Sequence, residues 1–436
     1  MQKKGDVVLM TIDPGHFHAA LVQKQMYDEV SPDVFIFAPV GPDVQDYLSI
    51  IDGYNNRSAN PTSWENHLYT GPDFLRKMIT ERPGNVMVTA GNNRKKTKYI
   101  KAAIDAGINV FADKPMAINS EDFKLLKEAF ADAKEKGLLL YDIMTERFEI
   151  TTVLQRELSL IPEIYGTQLT GTPDDPAVIT ESVHHFFKYV SGKEIKRPAW
   201  FFDVTQEGEG IVDVTTHLVD LIQWECFPDQ VLDYTNDIEM LSARHWPTPL
   251  TAAQFRKVTQ LESYPEYLKK DVVQDSILQV YSNGEMVYRL KNIYTKVSVV
   301  WAFQAPEGAG DTHFSKMSGS KADLIIRQGA EQSFRPVLYI KPNPSIDLEK
   351  YESTLSASFQ KIARKYPGVK LIREKKGWRV EIPQKYHVGH EAHFAQVTQK
   401  FLEYFKEGKL PEWEVPNMIA KYYTTTTALE MALQNE

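Results

Sequence analysis

Short apolar runs, separated by stretches of helical spacing, open the chain. Residues 7–12, 34–38, 85–90, 108–112 and 138–144 are each dominated by Val, Ile, Leu, Met, Phe and Ala. Such continuous runs predict strands buried on both faces. Between them, residues 19–24, 73–80, 96–106 and 120–130 read as helices. The last opens with Ser120 as an N-cap and carries Phe123, Leu126 and Phe130 on one face. Strand and helix in alternation predict a doubly wound parallel sheet over residues 1–148. Residues 41–72 break the pattern with Asp, Asn, Gly, Pro and aromatic residues, including Trp64 and Tyr69. They are expected to form an insertion or a long loop.

The texture then changes. Residues 151–160 read as helix, 166–172 as strand, and 181–188 as mixed. Residues 276–281, 286–294 and 296–303 are rich in β-formers, and Asn283-Gly284 between the first two predicts a hairpin turn. Helices are expected at 254–270, 347–366, 391–405 and 417–434. This is the pattern of an α+β domain with a largely antiparallel open sheet. A chain of 436 residues exceeds one ordinary core. The expected division is 1–148, a dinucleotide-binding domain, and 149–436, a domain for substrate and oligomer contacts.

Composition narrows the options. A chain 42% hydrophobic and 25% charged is that of a soluble globular protein, and a net charge of -8 gives no footing for nucleic acid or an anionic membrane. No apolar run approaches the ~20 residues of a spanning helix. The basic start Met1-Gln-Lys-Lys leads into an apolar run too short for a signal peptide, so 7–12 reads as the first strand. A single cysteine, Cys226, excludes an internal disulfide and fits a cytoplasmic setting.

The chemistry collects at three places. Asp13-Pro-Gly-His-Phe-His18 joins the first strand to a helix, where a G-x-G-x-x-G loop would let the backbone approach a pyrophosphate. Only Gly15 keeps its place. Asp13 must turn away from phosphate or bond its own turn, and His16 and His18 are expected to meet a cofactor through the backbone alone. Asp43 lies late for the acidic residue that usually holds the ribose. Next, Asp113-Lys114-Pro115 ends an apolar strand, at the sheet edge where ligands gather. Lys114 could donate to a substrate oxygen, and burial could lower its pKa. Finally, a helix starting near Gly210 would put Asp213, His217, Asp220 and Trp224 on one face. Asp213 in its first turn would orient His217 as a general base. No metal site is expected from these residues, because no further ligand has the right spacing.

The Ala106-Gly107 turn, Asp113-Lys114-Pro115, Arg147-Phe148 and the run from Gly210 through Asp213 and His217 to Asp220 resemble the Gfo/Idh/MocA family of glucose–fructose oxidoreductase, inositol dehydrogenase and rhizopine-catabolism proteins. The likeness covers residues 1–150 and about 205–225. It implies a Rossmann domain followed by an α/β domain whose open sheet serves oligomer contacts, as a dimer or tetramer. It implies NAD(P)-dependent oxidation of a sugar or polyol, with NAD favoured over NADP. Lys114, Asp213 and His217 correspond to the family's substrate lysine, carboxylate and acid/base histidine. The cofactor would meet Asp13, Pro14, Gly15, His16, Phe17, Ala90, Gly91, Asn93, Asp113 and Lys114, and the carbohydrate would meet Arg147, His184, His185 and His217. Asp113 replaces the usual Glu, Lys96 stands where His is common, and two of three loop glycines are missing.

Lys188 and Arg197 could join His184 and His185 around a sugar, with Trp200, Phe201 and Phe202 stacking on it. His387, His390 and His393 are spaced by three, but Gly389 interrupts the first step, and they read as a helix entrance. Two other functions stay open: a glycoside-cleaving hydrolase or lyase holding a resident NAD, and a sensor of sugar or nucleotide without catalysis.

Overall fold

The computed structural model describes residues 5–190, 193–274 and 276–435. The first half alternates β1 (Val7–Ile12), α1 (His18–Leu21), β2 (Val30–Ala38), α2 (Pro42–Asn56), β3 (Glu65–Thr70), α3 (Phe74–Glu81), β4 (Val86–Thr89), α4 (Asn93–Asp105), β5 (Asn109–Asp113), α5 (Ser120–Lys136) and β6 (Leu140–Ile143). The strands pair in parallel in the order β3-β2-β1-β4-β5-β6. The order reverses between β1 and β4, which opens a crevice beyond their carboxyl ends.

The expected loop at 41–72 is instead α2 and β3. Pro42 sits in the first turn, where a missing N–H costs nothing, and Val44, Tyr47 and Ile51 bury one stripe of the helix. The polar residues lie on its outer face. β3 is an edge strand, so it needs no continuous apolar run.

After a 3-10 turn at Thr145–Phe148 and helix α6 (Ile150–Ser159), the chain builds a second sheet. Its strands are β7 (Val178–Phe187), β10 (Ile238–Thr251), β11 (Val272–Val273), β12 (Ile277–Leu290), β13 (Ile293–Gln304), β14 (Thr312–Ser318), β15 (Ala322–Gln328), β16 (Val337–Pro342), β17 (Lys370–Glu374) and β18 (Gly377–Glu381). A separate small ribbon pairs β8 (Tyr189–Val190) with β9 (Lys193–Glu194). The large sheet runs β10-β12-β13-β7-β14-β15-β16-β18-β17, with β11 beside β12. Among the described residues, the β13–β7 pair alone in this sheet is parallel. Helices α7 (Val204–Glu207), α8 (Thr215–Cys226), α9 (Ala252–Thr259), α10 (Leu348–Lys365), α11 (His390–Glu407) and α12 (Glu414–Gln434) complete the chain.

Asn283-Gly284 is not a turn. β12 runs straight through it, and the hairpin closes at 291–292, with Lys291 at φ +52. Asn283 ties neighbouring strands by donating to the Trp246 carbonyl and accepting from the Trp301 amide. Gly284 is required for another reason: a Cβ there would stand 2.5 Å from Cβ of Ile211. Residues 166–172 form only single bridges, Gln168 to Gly319 and Gly171 to Pro176. The expected helix at 254–270 ends early, at Gln260 in a left-handed conformation (φ +63), and is followed by a 3-10 turn at Glu266–Asp271.

The closing helices tie the two sheets together. α11 gives Phe394, Val397 and Phe401 to the core of the parallel sheet. α12 gives Met418 and Tyr422 to that core, and Ala428 and Ala432 to the core of the second sheet.

Candidate active site

A cavity of about 760 Å³ opens between the carboxyl ends of the parallel strands and the face of the second sheet. Strand β5 delivers Asp113 to its wall, and Lys114 follows directly. The phosphate-loop segment supplies His16, Phe17 and His18. β4 leads to Gly91 and Asn93. Asp213 and His217 close the opposite side, and His184 comes from β7. Many of the residues singled out from sequence are therefore brought to one space: His16, Phe17, His18, Gly91, Asn93, Asp113, Lys114, His184, Asp213 and His217, with Lys188, Arg197, Phe201, His390 and His393.

The Lys114–Asp213 pair is the centre of this arrangement. The ammonium and the carboxylate are in direct hydrogen-bond contact, with side chains 12% and 9% exposed. Burial disfavours the ammonium, but Asp213 and Asp113 outweigh it and raise the Lys114 pKa. The expected lowering by burial is thus reversed, and Lys114 is a cationic hydrogen-bond donor, not a base.

Asp213 does not orient His217. Helix α8 begins only at Thr215; residues 210–214 form a turn in which the Asp213 amide donates to the Glu209 carbonyl (3.0 Å). Gly210 instead lies against β12, donating its amide to the Tyr281 carbonyl (3.1 Å) where a Cβ would sit 1.7 Å from the Ser282 carbonyl oxygen. The turn swings Asp213 toward Lys114. His217 Nδ1 is buried with no hydrogen-bond partner. Burial and the nearby Lys114 charge hold its pKa well below the ordinary histidine value, so the imidazole is neutral and free to accept a proton.

Arg147 is not available to a substrate. Its Nε and Nη2 each bond Asp220 at 2.7 Å, and its Nη1 bonds Glu414 at 2.9 Å. Asp220 also takes Lys421 Nζ at 2.8 Å, and Lys421 reaches Asp142 at 2.7 Å. Asp220 is thus a structural anion, held below the usual carboxylate range by Arg147 and Lys421 against the cost of burial. The neighbour that does reach the cavity is Glu146. Adjacent side chains on the tight turn diverge, and the sequence reading named only one of them. Burial and the Glu149 charge raise the Glu146 pKa to about 7. Glu207 also lines the cavity, receives a bond from Asn93 Nδ2 (3.2 Å), and is pushed well above the carboxylate range by burial and Asp213. Neither glutamate stands in a motif, so only proximity reveals them.

The far wall carries Lys188, Arg197, Trp301, Asp311 and His313. Asp311 accepts from Lys188 (2.6 Å) and contacts His185 Nδ1 (2.9 Å), so His185 supports this wall and does not line it. The Arg197 guanidinium lies over Phe201 and Trp301, and bonds the backbone carbonyls of Phe186 and His185. Of the three aromatics expected to stack on a sugar, only Phe201 lines the cavity. Phe202 is in the core. Trp200 covers the phosphate loop: its Nε1 donates to Asp43 (3.0 Å), and a Cβ on Gly15 would lie 3.1 Å from that carboxylate and 3.2 Å from the indole.

Asp13 takes the left-handed conformation (φ +44) and accepts a bond from Tyr99 (2.7 Å), neither bonding its own turn nor facing the cavity. The Gly15 and His16 amides both donate to the Ala90 carbonyl at 3.2 Å. That backbone contact is close enough that Gly91 could not carry a Cβ, which would fall 2.4 Å from the Asp13 oxygen. Asp13, Pro14, Gly15 and Ala90 thus shape the loop and do not line the cavity. His16 and His18 contribute side chains as well as backbone, since both imidazoles turn to Asp113.

Two family models match the chain. Residues 154–433 match "Putative oxidoreductase C terminal domain", and residues 41–141 match "Oxidoreductase family, NAD-binding Rossmann fold". The chain belongs to the Gfo/Idh/MocA oxidoreductases. No curated protein matches it. Among solved structures, an oxidoreductase described as putative from Parabacteroides merdae ATCC 43184 is 58% identical, with 100% of this chain and 99% of that one aligned at a TM-score of 0.99. A levoglucosan dehydrogenase in complex with NADH and levoglucosan is 14% identical over 99% and 98% of the chains, at a TM-score of 0.61. GenD2 from gentamicin A biosynthesis, in complex with NAD, is 13% identical over 100% and 97%, at 0.57. The last two share the fold.

The N-terminal domain of this Gfo/Idh/MocA protein is thus an NAD-binding Rossmann fold. The donor set fits the nicotinamide half of that cofactor. Asn93 lines the cavity with a buried Oδ1 that has no partner, and Phe17 offers an exposed ring beside it. The other half would meet the Trp200–Asp43 pair over Gly15.

Proposed function

We propose that the protein is an NAD-dependent dehydrogenase acting on a hydroxyl of a sugar, polyol or glycoside. The observation that carries this reading is the convergence of Lys114, Asp213 and His217 on one cavity beside Asn93. A cationic donor and a neutral imidazole on the same space are what removal of a hydroxyl proton requires. Lys114 would bind the substrate oxygen and stabilise negative charge as it develops. Asp213 keeps Lys114 charged and in place. His217 would take the hydroxyl proton. NAD, when bound, would accept the hydride from the carbon that bears that hydroxyl. The aromatic wall of Phe201 and Trp301 and the polar groups of His184 and Lys188 suit a flat, hydroxylated ring. The test is a panel of sugars, polyols and glycosides with NAD, read by NADH absorbance. Lys114→Ala and His217→Ala should each cost about 10²-fold or more in kcat with the substrate found. A loss under tenfold in both would overturn the assignment.

Glu146 favours a second reading, glycoside cleavage without net oxidation. With a ring hydroxyl oxidised to a ketone, the carbon between the ketone and the glycosidic carbon would lose a proton, the aglycone C–O bond would break, and a buried carboxyl with a pKa near 7 can give the departing oxygen its proton; water would then add to the double bond and the hydride would return to the ketone. Aglycone released from a glycoside with no NADH accumulating would select this reading over the first.

A further inference from the structure

We propose that His16, His18 and Asp113 form a binding site for one divalent transition-metal ion of the Zn²⁺ or Co²⁺ type, open to the cavity on one side. The sequence His16-Phe17-His18 sets two imidazoles two residues apart on the turn that enters α1. Both are directed at the carboxylate ending β5. His18 Nδ1 lies 3.0 Å from Asp113 Oδ2, and His16 Nδ1 lies 3.7 Å from the same atom. One ligand atom from each of the three residues falls within 4.8 Å of the others. Ligands about 2.1 Å from a shared tetrahedral ion stand roughly 3.4 Å apart, so the unliganded side chains are already near the required spacing.

A second observation points the same way. His18 has a hydrogen bond to Asp113, but His16 Nδ1 is buried with no hydrogen-bond partner. A buried imidazole nitrogen without a partner needs an explanation, and a metal ion supplies one. The two rings meet edge to face at 4.0 Å, and His390 from α11 lies 5.2 Å from His18 on the cavity side. Asp113 is itself anchored: Lys96 Nζ donates to its backbone carbonyl at 3.0 Å. Two ammonium groups lie near: Lys114 is offset by its contact with Asp213, and Lys96, lowered to about 8 by burial, is offset in part by Asp113 and Glu207. Two nitrogen ligands and one carboxylate leave coordination positions for water or a substrate oxygen, which distinguishes a reactive site from a closed structural one. His217 and Lys114 line the same cavity.

This site does not depend on the dehydrogenase reading, and its test uses neither cofactor nor substrate. Tag-free protein, stripped with a chelator, is titrated with Zn²⁺ by calorimetry and with Co²⁺ by visible absorption. One equivalent should bind, and Co²⁺ should show the intense bands of a low-symmetry nitrogen–oxygen site. His16→Gln and His18→Gln should each weaken binding tenfold or more. His387→Gln, away from the cluster, should leave it unchanged. Circular dichroism checks that each variant is folded; should His18→Gln fail to fold, the more exposed His16 decides. Wild-type protein that takes up neither ion, or binding that His16→Gln leaves intact, overturns the proposal.

Discussion

Lys114 shows how one side chain acquires its chemistry from a partner far away in sequence. Burial alone would lower its pKa, yet Asp213, 99 residues on, with Asp113 beside it, reverses the shift. Asp213→Asn removes that partner and leaves burial to dominate. Lys114 would then lose its proton at a lower pH, and activity that needs the ammonium would fail earlier as pH rises. The alkaline limb of kcat/KM against pH should move down by about one unit or more; an unmoved limb would mean that Lys114 is not the group observed. Glu146 makes the complementary case. Its pKa near 7 places it half protonated at neutral pH. Under the cleavage reading, Glu146→Gln should lower aglycone release about 10²-fold, while NADH binding measured by fluorescence stays unchanged. The sequence displays Lys114 because an Asp-Lys-Pro run after an apolar strand stands out. It hides Glu146, because a glutamate in a tight turn looks the same whether it faces solvent or a cavity.

At the scale of elements, the chain order of strands and helices in the first half was legible, because buried parallel strands leave unbroken apolar runs. Where a feature depends on another segment, local signals misled. Gly284 looks like half of a turn, but it is there because Ile211 crosses β12. Gly210 is likewise pressed on β12, and α8 starts five residues later than its helical spacing suggests, which moves Asp213 off the His217 face. Trp200 is the element-level feature with the most direct consequence. Its indole and Asp43 lie on Gly15, where a dinucleotide pyrophosphate belongs. Trp200→Ala should uncover the loop and tighten NADH binding severalfold. In wild-type protein NADH should perturb tryptophan emission, and weaker binding by the variant would show that the indole supports the cofactor instead. The Arg147–Asp220–Lys421–Asp142 network joins the end of the parallel sheet to α8 and α12. Lys421 is fully buried, so Lys421→Met takes the ammonium from Asp142 and Asp220, leaves Asp220 to Arg147 and Asp142 to the Tyr422 hydroxyl, and should cost about 3–5 kcal/mol, read as a lowered urea midpoint.

The whole molecule carries two opposed sets of buried titrating groups, and together they fix where it is most stable. His313 and His393 are held at about 4 by burial, with the neighbouring imidazoles His184 and His390 adding to it. Unfolded, each would take up a proton near 6.5, so the unfolded state binds more protons and stability is lost as pH falls from 6.5 toward 4. Glu146, at about 7, and Glu207, pushed well above the usual carboxylate range by burial and Asp213, behave in reverse. Folded, they keep a proton that the unfolded chain gives up near 4.5, so stability is lost as pH rises from 4.5 toward 7 and beyond. The two slopes oppose each other between about 4.5 and 6.5. Below that window the histidines act together with the ion-paired Asp220 and Asp311, and above it the loss from the glutamates continues. The net charge of -8 adds self-repulsion on the alkaline side. The expected result is a dome in stability centred at mildly acidic pH, with a higher urea midpoint at pH 5.5 than at pH 8. Glu146→Gln should flatten the alkaline limb alone, since an amide has no proton to lose. A midpoint that climbs steadily to pH 8 in wild-type protein would show that the glutamates reach solvent as folded groups, and would remove the basis for Glu146 as an acid in the cavity.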